Sequence, residues 1–559
     1  MSVLRIGIVA AGVVALIALM LPAGAGAHAE RATFFPDPNQ GDFPTYRTDG
    51  PSLVVCKPNS RYRIAQIADP DLRRYNEELL SRCTFRDIQA AVNRAANGYR
   101  ILVLPGVYYE KPSNGPAPAG CEDVYQRTAN GQFALSYEEH RQCPNAQNLI
   151  AVLGDTDGDR ICDSKCNIQI EGTGDGPEDV RINGQKTKLN VIRADRADGI
   201  YIKNMTVWYS DFNNIYVLET NGFRIDQVVS RYSREYGILS FTSDHGIYEN
   251  CEASHSGDSG LYPGSGPNAR HGQPDVHGHV YGIEIRHCVS HHNTIGESGT
   301  AGNGTWSHDN VFRNNAIGIT TDSFAGGHPG MPQDSSKWSH NLIYSNNNNI
   351  FTDDRDAYCQ NTPWEERDNR KVCPTFQVPV GTGLLIAGGN ANKVEENYVF
   401  DNWRNGTMLF WVPAALRGEN DSEKTYDTSS NNQYLRNCMS TRPFDLSAVD
   451  FTTCEGTRDS NGKDFWWDEE EGNDCVEEQA GCVDNDTQFG NCWSGNQGFD
   501  GETPSSDPVD VLLPMCPGLD VFRPGNADKQ AFLVPCATWD PMTNTDPPGC
   551  DWFTTPPEP

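Results

Sequence analysis

Two sets of acidic residues in this chain are spaced for chemistry. The first is the run GDTDGDRICDSKC, where Asp155, Asp157, Asp159 and Asp163 take positions 1, 3, 5 and 9 of one turning loop. Calcium gathers several hard oxygens around one centre, and alternating carboxylates on a loop supply them. The spacing therefore predicts a calcium site whose role is structural, fixing an insertion. No Glu stands at position 12, which excludes an EF-hand loop. The second set comes from a repeated strand ending, ITTD and IFTD, closing on Asp322 and Asp353, with Asp354 following. Side chains alternate along a strand, so Thr320 and Asp322 face opposite to Ile319 and Thr321, and the same parity applies to Asp353. Two carboxylates one strand spacing apart repel. Either one keeps its proton, giving an acid–base pair for glycoside cleavage, or a cation joins them. Asp322 and Asp353 are the expected catalytic pair, with His328, or alternatively His255, moving protons near neutral pH. Asp258, Glu297 and Asp354 are expected to bind substrate in the same groove. Strand-terminal Asp residues also cap turns, which is the competing reading.

The elements that must position these residues repeat. KNMTVWYS, DQVVSRYS, ENCEASHS, RHCVSHHN, HDNVFRNN, HNLIYSNN, ENYVFDNW and RNCMS align on Asn204, Gln227, Asn250, His287, Asn310, Asn341, Asn397 and Asn437. The steps are 23, 23, 37, 23, 31, 56 and 40 residues, one period with insertions. Short apolar runs between Gly and Asn leave room for strands and turns but not for helices. Three short strands per unit describe one coil of a parallel β-helix, each coil about 4.8 Å above the last. Like positions then stack, and the Asn column fits a turn, because Asn tolerates left-handed backbone. Cys251 and Cys288 follow the column residue in successive coils. Their Cα atoms should lie about 5 Å apart, within disulfide reach, with stacked free thiols as the rival.

Upstream, CTFRDIQAAVNRAANGYRILVLPGVYYE reads as an amphipathic helix over 85–96 and a strand over 101–104, the helix covering an otherwise open first coil. The segment IQAAVNRAANGYRILVLPGVYYE, followed by the Gly- and Asn-punctuated repeats, resembles the right-handed parallel β-helix proteins of the pectate-lyase-like superfamily. That resemblance implies an all-β, right-handed parallel β-helix solenoid with an N-terminal capping helix and a disulfide-rich C-terminal region. It implies a ligand face on one outward sheet, lined by insertions at 256–280, 321–336 and 352–391, and calcium bridging to uronates in lyases. It does not select a reaction, because the superfamily holds lyases, hydrolases, esterases, epimerases and non-catalytic surface proteins. No residue maps onto a pectate-lyase catalytic Arg, and neither the Asp-Pro-His of alginate epimerases nor the polygalacturonase set is present. The Asp155 loop is similar to the thrombospondin type 3 calcium repeat, with Arg160 where that family has Gly.

Composition frames these expectations. The chain has 559 residues and 75 acidic against 44 basic side chains, a net charge of −31 that disfavours nucleic acid as partner. Arg5, the apolar run 6–21 and Ala27-His28-Ala29 read as a secretory signal over 1–29, so a secreted, extracellular chain without a membrane anchor is expected. Eighteen cysteines in an exported chain predict disulfides, by proximity Cys56–Cys83, Cys121–Cys143, Cys162–Cys166 and Cys359–Cys373. The eight from Cys438 to Cys550 stay unassigned. An extension over 30–82, a β-helix over 83–440 and an acidic Cys-rich cap over 441–559 are expected. Residues 419–559 hold 28 acidic and 7 basic residues. His271, His277, His279, His287, His291 and His292 form a His-rich stretch open to transition metals. The whole predicts a monomeric, calcium-assisted protein that binds or cleaves extracellular polysaccharide, as lyase or glycoside hydrolase. A non-catalytic scaffold or adhesin is the alternative.

Overall fold

The computed structural model describes residues 30–131, 134–267, 274–324, 328–412, 429–470, 490–508, 513–518, 525–539 and 548–559. The signal segment 1–29, His271, Cys475 and Cys482 lie outside the described residues. The chain winds as a parallel β-helix with three strand faces. One coil consists of Ile283–Arg286 on the first face, Val289–His291 on the second and Ile295–Thr300 on the third. The long strands Ile200–Trp208 and Asn221–Arg231 run through both of the first two faces. The third face is a separate parallel sheet of eleven strands, from Asn148–Leu153 to Ser506–Asp507. Parallel pairing begins at Ser52 and continues to Asp507, so the stack reaches into both flanking segments that the sequence sets apart. Among the described residues no helix is long and apolar enough to cross a membrane.

The coil corners explain the repeat and correct its register. Between the first two faces, Asn204, Gln227, Asn250, His287, Asp309, His340, Glu396 and Arg436 all take φ between 51° and 55°. This left-handed turn residue bends the chain once per coil. The column therefore passes from His287 to Asp309, not Asn310, because Arg286 pairs with His308. Asn310, Asn341, Asn397 and Asn437 stand one residue later, in the inward column of Cys251 and Cys288. Each Oδ1 there accepts the backbone N–H of the coil before: Asn310 from Cys288 at 2.8 Å, Asn341 from Asn310 at 3.0 Å, Asn397 from Asn341 at 2.9 Å. The ladder continues through Asn437 to Asn496. A second ladder runs Asn293, Asn315, Asn346, Asn402, Asn461 at the next corner, and a third runs Asn392, Asn432, Asn491. Inside, aliphatic side chains such as Ile202, Ile225, Ile285, Ile319 and Leu384 fill one continuous core.

Cys251–Cys288 is formed, with Cα atoms 4.4 Å apart, as are the four proximity pairs. Cys438–Cys454, Cys492–Cys516 and Cys536–Cys550 join the C-terminal region. So many bonds belong to an oxidising compartment. The predicted amphipathic helix is present over Ile88–Arg94, with Ile88, Ala91 and Val92 buried. Residues 30–47 run as an extended strap across the coils. Arg31 pairs with Asp195 and Glu219, Asn221 holds the Asp37 carbonyl, and Arg47 exchanges bonds with Gln169.

Asn397→Ala removes the acceptor for Asn341 N–H and the donor to the Trp338 carbonyl at 3.0 Å. Each orphaned buried group costs about 1–3 kcal/mol. We expect the unfolding free energy from urea titration to fall by at least ~2 kcal/mol, read as a lower midpoint; an unchanged midpoint would show that the ladder is ornamental.

Candidate functional site

The outward side of the third face carries two columns of side chains. One runs Tyr216, Leu239, Tyr262, Ser298, Thr320, Leu385, and the other Leu218, Phe241, Gly264, Thr300, Asp322, Ala387. Asp322 thus faces outward with Thr320, as strand parity requires, and Ile319 packs in the core. Its partner does not follow. The residue above Asp322 is Ala387, because IFTD is not a strand: Asp353 and Asp354 open the helix Asp353–Asn361, capped by Thr352. Three acidic residues in a first helical turn suit the positive end of the helix dipole, which accounts for the sequence there without catalysis. Both Asp353 and Asp354 are exposed. Asp322 instead accepts the Thr300 hydroxyl at 2.9 Å and Phe324 N–H at 2.9 Å, and burial lifts it to about 6.

Stacked carboxylates do occur on this face, two and three coils earlier. Glu235 and Asp258 each stand two residues before a glycine that opens a third-face strand, and Asp258 N–H donates to the Glu235 carbonyl at 3.0 Å. Those glycines form a column, Gly237, Gly260, Gly296, Gly318, Gly383 and Gly406, in which an added Cβ would meet the next coil; at Gly237 it would lie 2.5 Å from the Gly260 oxygen. Aligning the sequence on this column, rather than on the strand ends, brings Glu235 and Asp258 together. Burial, reinforced by Asp258, pushes Glu235 well above the usual carboxylate range. Burial raises Asp258 to about 7, against hydrogen bonds from Ser259 and the Tyr236 hydroxyl and with the Asp322 charge adding to it. The rings of Tyr236 and Tyr262 lie 4.5 Å apart. Tyr262 bonds Thr300 and feels both Asp258 and Asp322. The insertion joining Tyr344 to Thr382 closes over the cluster, with Thr375 bonding Glu235 and its N–H reaching the Gly257 carbonyl at 2.9 Å. Asp258 and Asp322 are only 3% and 2% exposed.

The remaining expected site residues are elsewhere. Glu297 pairs with Leu261 and Ile319, so it points into the solenoid, where its oxygens accept from Trp338 Nε1 at 2.9 Å and Ser307 Oγ at 2.5 Å. It is a core residue, not a groove residue, and burial lifts it to about 7. His328 lies edge-on to Phe241, 5.5 Å between ring centres, three coils before Asp322. It does not complete a pair with Asp322. His255 stacks on His292 at 5.4 Å on the second corner, and burial with the neighbouring His292 and His291 lowers it to about 4.

At the Asp-rich loop, carboxylate oxygens of Asp155, Asp157 and Asp159 lie within 4.8 Å of one another, so these three can hold a metal ion. Asp163 does not join them; it accepts from Thr156 N–H at 3.0 Å and from the Thr156 hydroxyl. Asp155 already accepts from Gly158 N–H, Arg160 N–H and Arg196. Burial would raise Asp155, but Arg196 and these N–H groups hold it below the usual range. Arg160 has φ 74°, a left-handed geometry that favours Gly, and its guanidinium lies 3.4 Å from the Phe34 ring centre.

No family model matches the sequence, and no curated protein matches it. Among solved structures, the chain is similar to a mannuronan C-5 epimerase A-module of Azotobacter vinelandii at 11% identity and TM-score 0.39, over 74% of this chain and 84% of that one. It is similar to a pectate lyase at 12% identity and TM-score 0.31, over 63% and 71%. It is also similar to an alginate lyase from Paenibacillus sp. at 13% identity and TM-score 0.24, over 58% and 90%. With likeness this remote, the chemistry of the chain is read from its own geometry.

Glu297 gives a test of the inward assignment. Its folded midpoint of about 7 is above the ordinary 4.5, so the native state holds the proton more tightly. Its contribution is full below the unfolded midpoint and is lost as pH rises through about 7. The span corresponds to roughly 3 kcal/mol. Glu297→Gln keeps both hydrogen-bonding positions and should flatten the fall of melting temperature between pH ~5 and ~8. Parallel curves for the two proteins would place Glu297 in water instead.

Proposed function

We propose that the chain binds and cleaves extracellular polysaccharide on the outward third face, with Glu235 and Asp258 as the acid–base pair and Asp322 beside them. The observation that carries this reading is the vertical stack of Glu235 and Asp258 on that face, linked through Tyr236 and Tyr262 to Asp322. Like charges so close hold one proton between them, and Asp258 and Asp322 are poised near neutrality at about 7 and about 6. In a hydrolase the protonated carboxyl gives its proton to the departing glycosidic oxygen, and the ionised one draws a proton from water. In a lyase the ionised carboxylate draws the proton from the sugar C–H beside the uronate carboxyl, a C=C bond forms as the glycosidic C–O bond breaks, and the protonated carboxyl gives its proton to the departing oxygen.

One observation favours the scaffold reading: the cluster is almost closed to solvent, and Asp322 is fully bonded to Thr300 and Phe324 as a strand-end cap. Reducing-end and unsaturated-product assays on a polysaccharide panel separate the two. We expect Asp258→Asn to lower turnover by about 100-fold or more, while Glu297→Gln stays near native. No product from the native protein on any polymer would leave a scaffold, and a fully active Asp258→Asn would overturn the Glu235–Asp258 pair.

We also propose calcium as the ion of Asp155, Asp157 and Asp159, holding the loop to the coil stack. The donor set is hard oxygen, which fits that ion, with Arg196 as competitor for Asp155. Millimolar calcium should raise the melting temperature and EDTA lower it, with Asp157→Asn abolishing the response. No shift with the native protein, and no calcium on elemental analysis, would reject it.

A further inference from the structure

The strongest unassigned chemistry lies at the opposite edge of the wall, where the first-face strand Asp244–Glu249 begins. His245 is wholly buried there, in a left-handed conformation with φ 53°. Its two ring nitrogens have different partners. Nδ1 lies 2.8 Å from Asn221 Oδ1, and Nε2 lies 2.7 Å from Asp275 Oδ2. The Asn221 amide cannot be turned round, because its Nδ2 donates to the carbonyls of Asp37 and Gln40 in the strap. Its Oδ1 therefore accepts, and His245 must carry a proton on Nδ1. In the neutral ring, Nε2 then presents a lone pair to a carboxylate oxygen, two acceptors facing each other.

Two species resolve that encounter: a second proton on His245, or a cation between the two atoms. The 2.7 Å separation is a hydrogen-bond distance, so a cation would take the place of the proton and draw the two atoms slightly apart, and Asp275 is oriented for either. Its Oδ1 accepts the N–H groups of His277 at 2.8 Å and His279 at 2.9 Å, which fixes the carboxylate with Oδ2 toward His245. That loop then returns His279 to the same oxygen, with Nδ1 at 3.5 Å and its Nε2 3.5 Å from Asp42. One ligand atom from each of His245, Asp275 and His279 lies within 4.8 Å of the others. Phe43 packs edge-on against both rings, 5.5 Å from His245 and 4.4 Å from His279, so one side of the group is apolar.

We infer that His245, Asp275 and His279 form a site for a borderline divalent transition metal of the zinc class. Two imidazoles and one carboxylate suit zinc, not calcium, which takes all-oxygen sets. Tetrahedral coordination leaves a fourth position for water or another donor. Asn221 is the outer-shell partner that sets the His245 tautomer, and Asp42 the one that faces His279. The ion would pin the strap and the loop 274–282 to the same coil.

The experiment uses the full chain, stripped with chelator and kept in excess calcium, then titrated with zinc and, separately, with cobalt(II). We expect one zinc retained per chain after gel filtration, a rise in melting temperature, and a visible cobalt d–d spectrum of four-coordinate type. His279→Ala, at a half-buried position outside the core, should weaken zinc by more than the ~10–100-fold that loss of a hydrogen-bonding partner of a ligand costs. Asp275→Asn should do the same, and Asp157→Asn, in the other loop, should retain zinc as the native chain does. A native chain that retains no zinc leaves His245 and Asp275 as an ion pair and overturns the inference. So does equal zinc retention by His279→Ala and Asp275→Asn, which would move the ion to other histidines.

Discussion

A solenoid corner is where a backbone runs out of partners, and in this chain the side-chain amide of asparagine supplies them. Strand faces satisfy their own N–H and C=O groups through the parallel ladder, but the bend between faces interrupts it inside a dry core. Each ladder asparagine accepts the N–H of one coil through Oδ1 and donates to a carbonyl of that coil through Nδ2, as Asn341 does to Asn310 and Ser307. The amide thus demands an identical geometry from the next coil. That demand holds register across long insertions, such as those joining Gly264 to Ile283 and Tyr344 to Thr382, which leave the stack between one strand face and the next and rejoin it there. Where the early coils have no such amide, Met205 and Val228 fill the same inward column, and the Cys251–Cys288 bond then stands directly before Asn310.

The same constraint explains what could be read from the sequence. The winding is legible because corner residues recur, and so is the Cys251–Cys288 disulfide between successive coils. The column was misread by one position after His287, since Asn occupies the left-handed site in Asn204 and Asn250 but the inward site from Asn310 onward. Both sites favour Asn, for different reasons: one for its tolerance of positive φ, the other for its amide. Amino-acid identity alone cannot tell them apart, whereas the step of 22 residues from Cys288 to Asn310 can. IFTD failed for a related reason. A strand ending and a helix N-cap with acidic first turn share Thr-Asp, and only the pairing of Asp322 with Ala387 decides between them.

What sets carboxylates apart in this wall is which side they face and what covers them. Glu297 and Asp258 are both buried and both raised to about 7. Glu297 is enclosed by core residues with its two oxygens each satisfied by one donor, a closed arrangement that does no more than fill the interior. Asp258 shares its environment with Glu235, Tyr236 and Tyr262 on the outward side, so its charge is coupled to three other polar groups. Burial alone therefore does not distinguish carboxylates; a second carboxylate beside it on the outward side is what sets Asp258 apart from Glu297. The sequence could not show this, because Thr375, which closes over Glu235, is far along the chain.

The strap over residues 30–47 connects the outlying chemistry to the stack. At one end Arg31 joins Asp195 and Glu219, and Glu219 joins Arg196, which holds Asp155 of the acidic loop; Phe34 lies under Arg160 of the same loop. Burial pushes Asp195 up, but Arg31 and Arg193 outweigh it and hold it at about 2, so this network stays ionised. At the other end Asp37 and Gln40 orient Asn221, and Phe43 flanks His245 and His279. Both groups of residues suited to a cation thus lean on one extended segment with no secondary structure of its own. Such a segment loses much chain entropy when it is laid down, about 1–2 kcal/mol for each residue's backbone. Contacts at its two ends, charge at one and imidazole at the other, are what offset that cost. An ion at either end would therefore stabilise the strap as well as its own ligands, and the two ends would respond together although they choose different metals.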